Sequence, residues 1–102
     1  MKGMNINKLA KEMMAKLEST KEDLAKRTCE ASAGGGMVTV VARGDNRIVS
    51  IRIDPEVAKA GDLEMLQDLI MAATNQALKN VQEMVAGEMG KLTGGFKIPG
   101  LM

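Results

Sequence analysis

Apolar side chains return every three or four positions between residues 5 and 27. Ile6, Leu9, Ala10, Met13, Leu17 and Leu24 fall within an arc of about 100° on a helical wheel. The opposite side carries Lys8, Lys11, Glu12, Lys16, Glu18, Glu22, Asp23, Lys26 and Arg27. Glu12 and Lys16, Glu22 and Lys26, and Asp23 and Arg27 stand four residues apart with the acid first, the favourable order on a helix. The segment reads as a long amphipathic helix. The period then shortens. Residues 28–32 fit a short strand, residues 34–36 are consecutive glycines that break any helix, and residues 37–43 are rich in Val and Thr. Residues 47–53 put Val49, Ile51 and Ile53 on one side of a strand. Between these runs, Gly44-Asp45-Asn46 tolerates the positive φ that a short hairpin loop needs. Asp54-Pro55 ends the last strand, because proline has no ladder N–H and biases its predecessor toward an extended backbone.

Helical periodicity resumes at Asp62, a good N-cap, with Glu64 and Asp68 near the positive end of the helix dipole. Leu63, Leu66, Leu69, Ile70, Ala73, Ala77, Val81 and Met84 form a stripe of about 120°. It continues weakly to Leu92, and Gly87 and Gly90 are expected to fray it. The predicted organisation is one α+β domain over residues 1–92. Its order is α-β-β-β-α, a three-stranded antiparallel sheet with two long helices, followed by a flexible Gly-rich tail over residues 93–102.

Length turns this pattern into a prediction about assembly. A helix from residue 62 to about residue 90 would measure about 43 Å. A compact domain of 102 residues has a radius of gyration near 13 Å and a diameter of about 33 Å. The helix must therefore project, carrying part of its apolar stripe with it. Three strands under part of one helix also make a small core for a lone chain. Both arguments predict a homodimer with projecting helical arms, with Val38, Val40, Val49, Ile51 and Ile53 as its candidate interface residues.

Composition narrows the chemistry. There is no His, which removes His-based acid/base catalysis and His-ligated metal sites. The single Cys29 has no His to form a thiolate pair, so a structural or incidental role is favoured over a nucleophile. Carboxylates are scattered along solvent-facing helix positions, and residues 34–36 precede a strand with no Gly-Lys-Ser/Thr after them, unlike a phosphate-binding loop. No enzyme, cofactor, metal or small-molecule substrate is expected. The N-terminus lacks a signal-peptide core, and no stretch approaches the roughly 18 apolar residues of a membrane span. The expected location is the cytoplasm, with no membrane partner. Ten Met residues, among them Met13, Met65, Met71, Met84 and Met89, suit an adaptable partner-binding surface. The plainer reading, that they fill gaps in a core without large aromatics, is favoured.

Net charge is only +1, from 14 basic and 13 acidic residues, which excludes coating nucleic acid by bulk charge. Division along the chain is more informative. Residues 1–33 hold seven basic and five acidic side chains, whereas residues 61–102 hold three and five. Lys8, Lys11, Lys16, Lys26 and Arg27 span about 160° of the first helix, with Glu12, Glu22 and Asp23 interleaved. On the residues alone a solvated face is favoured over a phosphate-binding one, and a dimer would double the basic signal. Phe96 is the only aromatic, so stacking on unpaired bases has no platform.

Taken in order, the charged Met-rich first helix, the glycine run before Met37-Val38-Thr39-Val40, Gly44 in the hairpin and Ile51-Arg52-Ile53-Asp54-Pro55 form a recognisable series. Leu66-Gln67-Asp68-Leu69-Ile70, Ala73-Thr74-Asn75-Gln76-Ala77 and the tail with Phe96 and Pro99-Gly100 complete it. The series resembles the YbaB/EbfC family of bacterial nucleoid-associated proteins over nearly the whole chain. The longer opening of residues 1–7 and the near-neutral charge depart from the family pattern. The resemblance implies a homodimer with a β-sheet core and tweezer-like helical arms. It also implies binding to double-stranded DNA with weak sequence selectivity, a nucleoid location and a link to gene regulation. Carried onto this chain, the DNA-contacting candidates are Lys8, Lys11, Lys16, Lys26 and Arg27, with Lys79 on the second helix. A protein–protein interaction module built on the Met-rich helices is the alternative.

Overall fold

The computed structural model describes residues 6–93; the expected tail beyond residue 93 lies outside the described residues. The element order is α1 (Ile6–Lys26), β1 (Thr28–Ala33), β2 (Val38–Arg43), β3 (Ile48–Ile53), α2 (Pro55–Lys59) and α3 (Leu63–Thr93). The strands form one antiparallel sheet in the order β1-β2-β3. The α+β order expected from periodicity is what the chain adopts, with one addition. Asp54-Pro55 ends β3 and also starts α2: Asp54 Oδ1 accepts a hydrogen bond from the Glu56 backbone N–H at 2.9 Å, and Pro55 sits where a missing N–H costs nothing. Asp62 caps α3, its Oδ1 accepting from the Met65 N–H at 3.0 Å. α3 then runs unbroken through Thr93, past Gly87 and Gly90, where fraying was expected.

α3 lies antiparallel to β1 across one face of the sheet. Gly34, at the far end of β1, packs on Leu69, whereas Cys29 Sγ lies 3.8 Å from Met84 Sδ at its near end. Ala31, Val38, Val40 and Ala42 of the sheet meet Ala73, Ala77 and Val81 of the helix, all buried. Alanines on both layers let the helix axis settle close to the strands. Leu66, Leu69, Ile70, Leu78 and Val85 close the margin.

This packing corrects part of the expected dimer surface. Val38 and Val40 are completely buried inside the chain's own core, so they have no surface to offer a partner. Ile51 and Ile53 pair with Val40 and Val38 and so share their face of the sheet, but α3 covers β1 and β2 and stops short of β3. The edge strand is left open, with Ile51 at 47% exposure. A bulge modifies its alternation. Val41 pairs with Ser50 and Ala42 with Ile48, so Val49 has no ladder partner, and Ile48 falls in step with Ile51 and Ile53. The other face is mostly polar, with Glu30, Ser32, Thr39, Ser50 and Arg52 around a half-buried Val41; Ser32 Oγ and Thr39 Oγ1 share a hydrogen bond at 3.0 Å.

α1 leaves this body. Leu24 is its one buried residue, and Ile6, Leu9, Met13 and Met14 are all exposed. The described chain measures 73 × 27 × 15 Å with a radius of gyration of 20.1 Å, against about 13 Å for a compact domain of this length.

Candidate nucleic-acid interface

The expected DNA-contacting residues divide between two helices. Lys8, Lys11, Lys16 and Lys26 are exposed along α1. From Lys8 to Lys26 the helix rises about 27 Å, so the series is a ladder along one rod and not a compact patch. Arg27 follows the helix end and lies 3.5 Å from Glu88 of α3, whose carboxylate is also 3.6 Å from Lys91. Lys79 is exposed near the middle of α3, about 13 Å along the axis from Glu88. The structure therefore brings Lys26 and Arg27 together where α1 meets the body. It leaves Lys79 apart from them.

A second group of cations, not singled out by linear pattern, stands beside Lys26 and Arg27. The β2–β3 hairpin closes through an Arg43 N–H to Arg47 carbonyl bond of 2.7 Å, with Asn46 at φ 64°. Its tip docks on the end of α1. Gly44 donates its backbone N–H to the Arg27 carbonyl at 2.8 Å, and a Cβ built on Gly44 would overlap the Leu24 carbonyl. Only glycine permits that approach. The Asp45 carboxylate accepts from Arg43 Nε at 3.0 Å and Nη2 at 2.6 Å, and lies 3.6 Å from Arg47 Nε. The hydrogen bond from Arg43 holds the Asp45 carboxyl below the usual carboxylate range, and the same bond raises the Arg43 guanidinium further. Arg47 keeps 74% of its side chain in solvent. Sequence reading passed over this group because it lies in a hairpin turn apart from α1 along the chain, and its approach to Lys26 and Arg27 depends on Gly44.

Among the described residues no helix is long and apolar enough to cross a membrane, and no cluster of His, Cys, Asp and Glu could hold a metal ion.

The YbaB/EbfC DNA-binding family matches residues 1–96. A nucleoid-associated protein of Pelotomaculum thermopropionicum is 52% identical over 104 aligned positions, covering 99% of both chains. A nucleoid-associated protein of Caldanaerobacter subterraneus is 51% identical over 102, covering 97% of this chain and 92% of its own. In three dimensions the chain resembles the crystal structure of an uncharacterized protein from Helicobacter pylori. That likeness has a TM-score of 0.73 at 25% identity and covers 87% of this chain and 97% of the other. With a family match over nearly its full length and relatives at half identity, the chain belongs to the YbaB/EbfC DNA-binding family.

Proposed function

We propose that this protein is a nucleoid-associated, cytoplasmic homodimer that binds double-stranded DNA mainly through its phosphates. Its sequence selectivity is weak, and it acts on nucleoid organisation and gene expression. The carrying observation is α1 itself: a helix that stands clear of the body while presenting Lys8, Lys11, Lys16 and Lys26 to solvent. Spaced over about 27 Å, these lysines match a run of roughly eight base pairs at 3.4 Å per step. Lysine ammonium groups on flexible stems suit the phosphate backbone and read no base edge.

The same helix supports dimerisation. Among the described residues its apolar stripe of Ile6, Leu9 and Met13 stays exposed, and so does the row Ile48, Ile51 and Ile53 on the edge strand. Exposed apolar surface on this scale is stabilised by association with a complementary copy. Exposed Met14, Met65 and Met71 favour the alternative of an interaction module for a different protein.

Titrating unrelated duplexes by fluorescence anisotropy at several salt concentrations separates these readings. Log affinity should fall linearly with log salt, equally for all sequences. Replacing Lys8, Lys11 and Lys16 together by Ala should weaken every duplex alike. The slope should flatten by about one unit for each lysine that touched a phosphate. Wild-type protein that ignores DNA at low salt would put the interaction module ahead.

A further inference from the structure

Charge is separated along the long axis of the sheet, which the net value of +1 conceals. One end holds the start of β1, the β2–β3 hairpin tip, the end of α1 and the later turns of α3. It gathers Lys26, Arg27, Arg43, Arg47 and Lys91 around Asp45 and Glu88, with Glu22 and Asp23 on the last turns of α1 beside them. The other end, with the glycine turn, α2, the end of β3 and the start of α3, carries Asp54, Glu56, Asp62, Glu64 and Asp68 against Arg52 and Lys59. A polyanion is therefore attracted to the hairpin end and repelled from the opposite one.

Attraction alone would leave a solvated patch, but the hairpin end is also held in shape. The Gly44 N–H to Arg27 carbonyl bond ties the hairpin to the end of α1, so the arginines of the sheet keep a fixed place beside Lys26. Asp45 grips Arg43 through Nε and Nη2, which leaves the Nη1 edge of the guanidinium free to donate. A side chain already ordered by one carboxylate loses less entropy when it meets a phosphate.

We infer that the β2–β3 hairpin tip, through Arg47 and Arg43, is a second DNA-phosphate contact, a fixed anchor at the root of α1. The inference rests on the DNA-binding reading above. DNA lying along α1 meets the exposed Lys8, Lys11 and Lys16 first and the hairpin arginines where the helix joins the body. Lys26 and Arg27 link the two sets.

The test uses the full chain, an arbitrary duplex of about 24 base pairs and anisotropy titrations between roughly 50 and 200 mM salt, the range over which phosphate contacts dominate the salt dependence. Arg47→Ala is the principal variant, since its side chain is the more exposed of the two hairpin arginines; Arg43→Ala/Arg47→Ala is the second. Arg52→Ala is the control. It removes the same charge from β3, but at the far end of the sheet from the hairpin tip, where Arg52 pairs loosely with Glu30 at 3.9 Å. Circular dichroism and sedimentation confirm that each variant is folded and assembled. Arg47→Ala should bind every duplex about threefold to tenfold more weakly at low salt, with a slope smaller by about one unit per protomer. The double variant should lose more, and Arg52→Ala should stay within about twofold of wild type. If Arg47→Ala matches wild type, or Arg52→Ala loses as much, the hairpin anchor is wrong. The Lys8, Lys11 and Lys16 variant would still report on α1. If the wild type binds no duplex at all, the DNA-binding reading falls and the anchor falls with it.

Discussion

Gly44 illustrates how much one position can decide. Its φ is not the left-handed value that usually explains a hairpin glycine; that role belongs to Asn46 at φ 64°. What Gly44 supplies is the absence of a Cβ where the hairpin meets the Leu24 carbonyl. A methyl group there would push the tip off α1 or bend the helix end, at a cost of about 1–3 kcal/mol. Urea unfolding should show that loss for Gly44→Ala, while Asn46→Gly should stay near wild type, because Gly accepts the same φ. Equal stability of Gly44→Ala and wild type would mean that the hairpin does not need α1.

At the scale of elements, α3 carries the fold. Its buried stripe of Ala73, Ala77 and Val81 is the helical side of the main core cluster. The turns around Gly87 and Gly90 extend it beyond the sheet, and Gly87 has open space where a Cβ would stand. Glycine inside an exposed helix lowers stability by roughly 0.5–1 kcal/mol relative to alanine. Gly87→Ala should therefore raise the unfolding free energy by about that amount. A decrease would show that the site is covered in the assembled protein. β3 is the counterpart of α3: it completes the sheet but lies outside the shelter of the helix, so its isoleucines stay exposed on the same face as the core.

The whole molecule is an open shape, and that openness is the physical case for assembly. A 10.9 kDa chain with a 20.1 Å radius of gyration covers little of its apolar surface by itself. Sedimentation equilibrium at micromolar concentration should return twice the chain mass. Ile51→Glu, which sets a charge among the exposed apolar residues of β3, should shift the equilibrium toward monomer without unfolding the sheet. A stable wild-type monomer would exclude the dimer. An Ile51→Glu dimer of undiminished strength would place the interface elsewhere.

What residue order alone could determine was whatever depends on near neighbours. The periods of α1 and α3, the strands, the hairpin glycines and the cap at Asp62 follow from spacings of a few residues, and each stands where the pattern placed it. Asp54-Pro55 was legible as an ending, but its second role as the start of α2 depended on how the chain continued. The basic face of α1 was likewise visible, since a helix converts spacing directly into azimuth. Burial was not. Val38 and Ile53 are both strand residues with β-branched side chains, yet one lies under α3 and the other beyond its edge. That difference comes from where a helix of finite width crosses a three-stranded sheet. The bulge at Val49, which brings Ile48 into step with Ile51, depends on pairing with β2 and leaves no mark in the run itself. The clustering of Arg43 and Arg47 with Lys26 and Arg27 is also tertiary, because it requires a hairpin tip and a helix end to close on a glycine. Local spacing sets the dihedrals and faces of single elements, while their contacts depend on how the layers overlap.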